Sequence, residues 1–148
     1  MLHKIMEAFI SPTKMIDMFT HQIVTDQPIE IIANKVQQAC DNYKFALLKT
    51  YNYHEIVESK GFPINRKVFI YEICQAKTVS LMLTDYPNFS IFMPCKLVIY
   101  ENNGNTVIST MNMEIILKMV SANQELYGNA ITLFNTLKSM MKSLSSKE

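Results

Sequence analysis

Four kinds of side chain carry what chemistry this chain could do: an imidazole, thiols, thioethers and a few carboxylates. His54 opens the run His-Glu-Ile-Val-Glu-Ser-Lys-Gly, just after Tyr51-Asn52-Tyr53. An imidazole there could ligate a metal or haem iron, or carry a proton near neutral pH. Cys74 and Cys95 each sit at the end of an apolar run. On adjacent strands such thiols could form a disulfide pair, a soft-metal clamp or a sulfur-relay site. Met82, Met93, Met111 and Met113 belong to a total of 11 methionines in 148 residues, and thioethers suit Cu(I) or haem iron.

Each of these has a plainer alternative. An isolated histidine lacks the further ligands that define a metal site. Buried cysteines pack as small hydrophobes, and methionine is adaptable core filler. Glu55 and Glu58 are i,i+3 neighbours on a short helix and read as a solvated face. Glu72 lies inside an apolar strand, where an ion pair with Lys96 or Arg66 accounts for it better than acid–base catalysis. No Gly-x-Gly-x-x-Gly, phosphate loop, His-Glu-x-x-His or Gly-x-Ser-x-Gly is present, and no residue is assigned a catalytic role.

Composition narrows the classes. Hydrophobic residues make up 49%, enough for one globular domain over residues 1–148 with a proper core. Charged residues, at 18%, are fewer than usual, which leans toward self-association. The net charge of +1 and a single arginine, Arg66, argue against a nucleic-acid partner. The opening Met-Leu-His-Lys-Ile-Met-Glu-Ala-Phe-Ile is broken by Glu7 and lacks a small-residue cleavage site, so it does not read as a secretory signal. No apolar run reaches the ~20 residues of a bilayer span, so no membrane partner is expected. Three cysteines, an odd number without zinc-finger spacing, point to free thiols in a reducing cytoplasm.

The elements that must position these side chains alternate between the two periods. Ser11 and Pro12 start a helix over 11–18. A strand is expected from Phe19 to Thr25, then a helix carrying Ile29, Ile32, Val36, Cys40 and Tyr43 on one face, with Cys40 in the core. Strands are expected over Phe45–Tyr53 and Lys67–Cys74, with a two-turn helix from His54 to Lys60 stopped by Gly61 between them. A short helix over Ala76–Thr84 leads to strands Phe89–Glu101 and Thr106–Met113. Asn103-Gly104 as a two-residue loop sets Ile99 opposite Ile108, Leu97 opposite Thr110 and Cys95 opposite Asn112. Both faces of this hairpin are largely apolar, so one is expected against helices and the other against a partner subunit or the terminal segment. Ser121 and Gln124 fit a capping box for a terminal helix of about 122–144. Its stripe is Leu126, Ala130, Leu133, Phe134, Leu137, Met140, Met141 and Leu144, and Gly128 within it suggests a close approach or kink. The order of elements predicts an α+β domain with an antiparallel sheet packed by helices.

Residues 19–120 resemble the small bacterial and archaeal proteins of domain-of-unknown-function family 302. Tyr53-His54 stands where that family has Asp-His, with Gly61 at matching spacing. Leu81-Met82 matches its Leu-Met, and Met93-Pro94-Cys95-Lys96 its Pro-x-Arg/Lys strand entry. Tyr53, Cys74-Gln75 and Cys95 depart from the family's acid, Asn-Pro and aliphatic residue. The resemblance implies a TATA-binding-protein-like β-α-β4-α core, here with added terminal helices, and a homodimer. Fold of this kind carries no DNA-binding implication.

The favoured functional expectation is a binding module for haem, a soft metal such as copper, or a small apolar ligand. His54, Met82, Cys95 and Met111 are its expected ligand-binding residues, and His54, Cys74 and Cys95 its expected metal ligands. Alternatives are a thiol-dependent sulfur or redox enzyme using Cys95 or Cys74, and a purely structural or regulatory dimer. The binding module requires His54 to converge with a sulfur of Cys74, Met82, Cys95 or Met111, within one subunit or across a dimer.

Overall fold

A computed structural model describes residues 11–147; the opening ten residues, read above as no secretory signal, lie outside it. Helix α1 spans Pro12–Phe19, where the Ser11 hydroxyl accepts from the Lys14 N–H at 3.3 Å. It runs directly into strand β1, Thr20–Thr25. The expected Ile29–Tyr43 helix is split into α2, Ile29–Ala33, and α3, Val36–Asn42. The split falls where the Lys35 N–H bonds Ile32 O at 3.0 Å, a tighter i→i−3 turn. The apolar stripe survives it: Ile29, Ile32, Val36 and Cys40 are all buried.

Helix α3 ends in a Schellman motif built on Lys44 (φ 65°), in which Phe45 N–H bonds Cys40 O at 2.9 Å. Strand β2 (Ala46–Asn52) follows, with a bulge between Leu47 and Lys49. Helix α4 (Tyr53–Ser59) closes on Gly61 (φ 92°), where Phe62 N–H bonds Val57 O at 2.9 Å, as its glycine predicts. Strand β3 is Val68–Cys74 and helix α5 Ala76–Asp85.

Two strands are shorter than expected. Pro87–Phe92 forms a 3₁₀ turn, so β4 begins only at Cys95 and runs to Asn102. Pro87 and Pro94 lack the N–H that a ladder needs, which is why the apolar run Phe89–Met93 cannot join the sheet. Strand β5 (Asn105–Met111) stops before Asn112, whose side chain accepts from Glu114 N–H at 3.1 Å and so starts α6, Met113–Leu117. The hairpin register is the expected one, with Leu97 opposite Thr110 and Ile99 opposite Ile108. Asn103 (φ 50°) and Gly104 (φ 79°) form the turn. Cys95 does not face Asn112, because Asn112 has left the ladder and its N–H bonds Phe19 O at 2.8 Å.

After a 3₁₀ turn at Lys118–Val120, helix α7 spans Gln124–Ser145. Its cap is Asn123, accepting from Leu126 N–H at 3.1 Å, in place of the expected Ser121–Gln124 box. Gly128 lies within the helix and a Cβ there would meet nothing within 4 Å, so the close approach it suggested is absent.

The sheet is antiparallel in the order β1-β5-β4-β3-β2. Its core face carries Tyr71, Ile73, Leu97, Ile99 and Ile108, packed by α2, α3 and the Phe134–Leu144 stripe of α7. A second apolar cluster joins Met82, Phe89, Leu117, Val120, Leu126 and Ala130 beside it. Among the described residues, no helix is long and apolar enough to cross a membrane.

Candidate functional site

The seam between the two clusters holds a partly open cavity of about 40 Å³. Val79 and Met82 of α5, Phe89 and Phe92 of the 3₁₀ turn, and Met93 form one side. Phe45, Cys95, Met113, Leu117 and the Ala130–Leu137 stretch of α7 form the rest. None of the lining residues is charged. The two shortened strands make this site: had β4 started at Phe89 and β5 run to Met113, neither Met93 nor Met113 would sit over the sheet end. Met113 packs against both clusters, so it belongs to the seam itself.

Cys95 lies on the core face, directly opposite buried Ile73 in the ladder. Burial pushes its thiol up, the neighbouring Cys74 adds to this, and Lys96 opposes it. Cys74 and Cys95 are free and near each other on paired strands. Cys95 stands opposite Ile73, so strand alternation sends Cys74 toward the other face of the sheet. The thiols are therefore neighbours but not a bridging pair. Cys40 is fully buried, as expected, with its thiol raised to about 11 by burial and then by Asp41.

His54 stands apart from the sulfurs. Its Nδ1 lies 3.1 Å from both the N and the O of Val68, accepting from one or donating to the other according to tautomer. Its ring meets Phe69 edge-to-face at 5.2 Å between centroids. Val68 and Cys74 are the two ends of β3, about 20 Å apart at the usual strand rise. Within one subunit His54 thus ties α4 to the start of β3, at the far end from Cys74 and Cys95. Met111 is 44% exposed and shares the outer face of β5 with Val107 and Ser109, opposite the cavity face. Of the five residues expected to bind a ligand or metal, the structure puts Met82 and Cys95 on the lining of one cavity, places Cys74 beside them on the other face, and separates His54 and Met111. Among the described residues, no group of three or more His, Cys, Asp or Glu is placed to hold a metal ion.

The expected Glu72 ion pair is replaced by a neutral partner. Glu72 is registered opposite Lys96 and Lys49, yet the ion pairs among the described residues are Lys67–Glu30, Lys138–Glu114 and Lys147–Asp26. Its carboxylate accepts from the Tyr51 hydroxyl and raises that group's pKa. Sequence reasoning named Met93 and Met113 as thioethers but left both out of the expected site, and it missed Phe45, Phe89 and Phe92. The prolines flanking Phe89–Met93 were the available signal.

An antiparallel sheet in the order β1-β5-β4-β3-β2, with α2–α3 entering after β1 and a long helix closing the chain, defines a β-α-β4-α fold. The family model described as domain of unknown function DUF302 matches residues 21–144, and the chain belongs to that family. The structure is similar to the crystal structure of an uncharacterized conserved DUF302 protein from Bacillus stearothermophilus. The TM-score is 0.76 at 20% identity, covering 87% of this chain and 99% of that one. Among curated proteins nothing matches.

Proposed function

We propose that this chain is a binding module whose site is the seam cavity, taking a small soft or apolar guest. The observation that carries this is a cavity of about 40 Å³ lined without a charged residue, at the junction of two separately packed clusters. Interiors normally fill such space, because each missing contact costs dispersion energy. A void this size holds about three water-sized spheres, and apolar walls keep it dry. Haem is not favoured here: small-molecule sites commonly occupy 300–1,000 Å³, roughly ten times the space, and the only expected axial imidazole, His54, lies elsewhere.

Thiol catalysis at Cys95 is the weaker alternative. A nucleophile needs its thiolate, and burial holds this group as a thiol. The three free cysteines fit residence in a reducing compartment such as the cytoplasm.

Xenon tests the cavity directly, since it enters dry apolar voids. Methionine methyl resonances recorded under xenon pressure should shift at Met82, Met93 and Met113 and stay fixed at Met111. No shift at the three lining methyls would remove this reading.

We propose in addition that two copies associate. Helix α1 buries none of its residues, with Ile16, Met18 and Phe19 exposed, and Val24 of edge strand β1 is exposed as well. Light scattering after size exclusion should give twice 17.1 kDa, and Ile16→Lys should return the monomer mass. A monomer mass for the unmodified chain at micromolar concentration refutes it.

A further inference from the structure

We propose that the seam cavity is a site for one soft monovalent metal ion, Cu(I), held by Cys95 Sγ with thioether sulfurs from Met82, Met93 and Met113. This rests on the cavity being a binding site, and names the class of its guest. The four sulfur residues come from four separate segments: α5, the link after the 3₁₀ turn, the first residue of β4 and the first residue of α6. Nothing about core filling requires them to meet at one void, since leucine would pack any of these positions. Thiolate and thioether donors together select Cu(I) over harder ions, which take nitrogen and oxygen.

Charge fixes the valence. Cys95 is the only lining residue that can become an anion, and no lysine, arginine, histidine or carboxylate lines the cavity. One thiolate neutralises one positive charge. A divalent ion would leave a net charge in an apolar interior, which burial strongly disfavours. Binding therefore exchanges a proton for a metal. Cu(I) replaces the hydrogen on Cys95 Sγ, the proton leaves to solvent, and the thioethers donate lone pairs without changing charge. Copper stays monovalent and no electron moves. Entry is through the side where Cys95, Phe92 and Met93 remain half-buried rather than sealed.

The test is an anaerobic Cu(I) titration of the full chain against a chromophoric Cu(I) chelator, with X-ray absorption on the loaded protein. One equivalent should be withdrawn from the chelator, with sulfur as the sole neighbour of copper. Cys95→Ser should lose the uptake. Met82→Leu, Met93→Leu and Met113→Leu preserve size and should each weaken it, whereas His54→Ala and Cys74→Ser should leave it unchanged. Nitrogen or oxygen in the copper shell, or full uptake by Cys95→Ser, overturns the assignment. Should Cys95→Ser fail to fold by circular dichroism, the three leucine variants decide, and undiminished uptake in all of them overturns it. Xenon shifts without any Cu(I) uptake would keep the cavity as a binding site and reject the metal. Absence of both would reject both.

Discussion

Val79→Ile is the most informative single perturbation of the cavity. Val79 lines it from α5, and the substitution adds one methylene while keeping the β-branch, so helix propensity is unchanged. Burying a methylene contributes about 0.8 kcal/mol. The cavity term gives a consistent ceiling: at about 24 cal/mol per Å³, complete filling of 40 Å³ would recover about 1 kcal/mol. Urea unfolding should therefore show a higher midpoint at unchanged slope, and the melting temperature should rise by about 3 °C. The same variant should blunt the xenon shifts at Met82 and Met113, because the added carbon occupies the guest's space. If the void did not exist, the extra methylene would overpack and cost about 1–3 kcal/mol. A lowered midpoint would refute the cavity, and a raised midpoint with undiminished xenon shifts would refute its role as the guest's location.

Four further outcomes follow from single contacts. His54→Ala should destabilise by about 1–2 kcal/mol in urea melts, because Val68 loses a hydrogen-bond partner and Phe69 a ring contact; an unchanged midpoint would show the tie between α4 and β3 to be idle. Gly128→Ala should stabilise α7 by about 1 kcal/mol, since a Cβ there meets nothing and the position is helical; thermal melts that fall instead would contradict an unobstructed helix. Lys44→Gly should raise stability by about 1 kcal/mol by relieving a left-handed residue, measured the same way, and a loss would show its side chain matters more than its backbone. The pKa of His21 is lowered by burial and by Lys138, against a weaker opposite pull from Glu114. Its neutral form is thus favoured in the folded state, so the stability it contributes is full above the ordinary value of 6.5 and is lost as pH falls from there through the folded pKa. Denaturation across pH 7 to 5 should show this fall, and His21→Gln should flatten it.

Periodicity made the fold legible. The i,i+3,i+4 stripe from Leu126 to Leu144 is the buried face of α7, and Asn103-Gly104 set a register that the ladder reproduces from Asn102–Asn105 to Leu97–Thr110 but not at Cys95. What periodicity does not encode is where an element stops. Lys44 closes α3 without a glycine, so no composition signal marked that end. Phe89–Met93 is apolar enough for a strand, but the missing proline donors outweighed β-propensity. Asn112 falls inside the run Thr106–Met113 that reads as a strand, whereas its side chain caps the next helix.

These end effects are what separated the expected site from the proposed one. Residue type singled out sulfur, and Met82 and Cys95 line one cavity, but type alone cannot say which end of a strand a side chain occupies. His54 and Cys95 looked compatible while β3 had no fixed direction relative to them. Once β3 runs from Val68 beside His54 to Cys74 beside Cys95, strand rise alone puts about 20 Å between imidazole and thiol. The same geometry brings two further sulfurs to the cavity wall, because shortening β4 and β5 leaves Met93 and Met113 off the sheet and on the lining of the void. The cavity on which the proposed site rests thus depends not on the histidine but on two strand ends, beside Pro94 and Asn112.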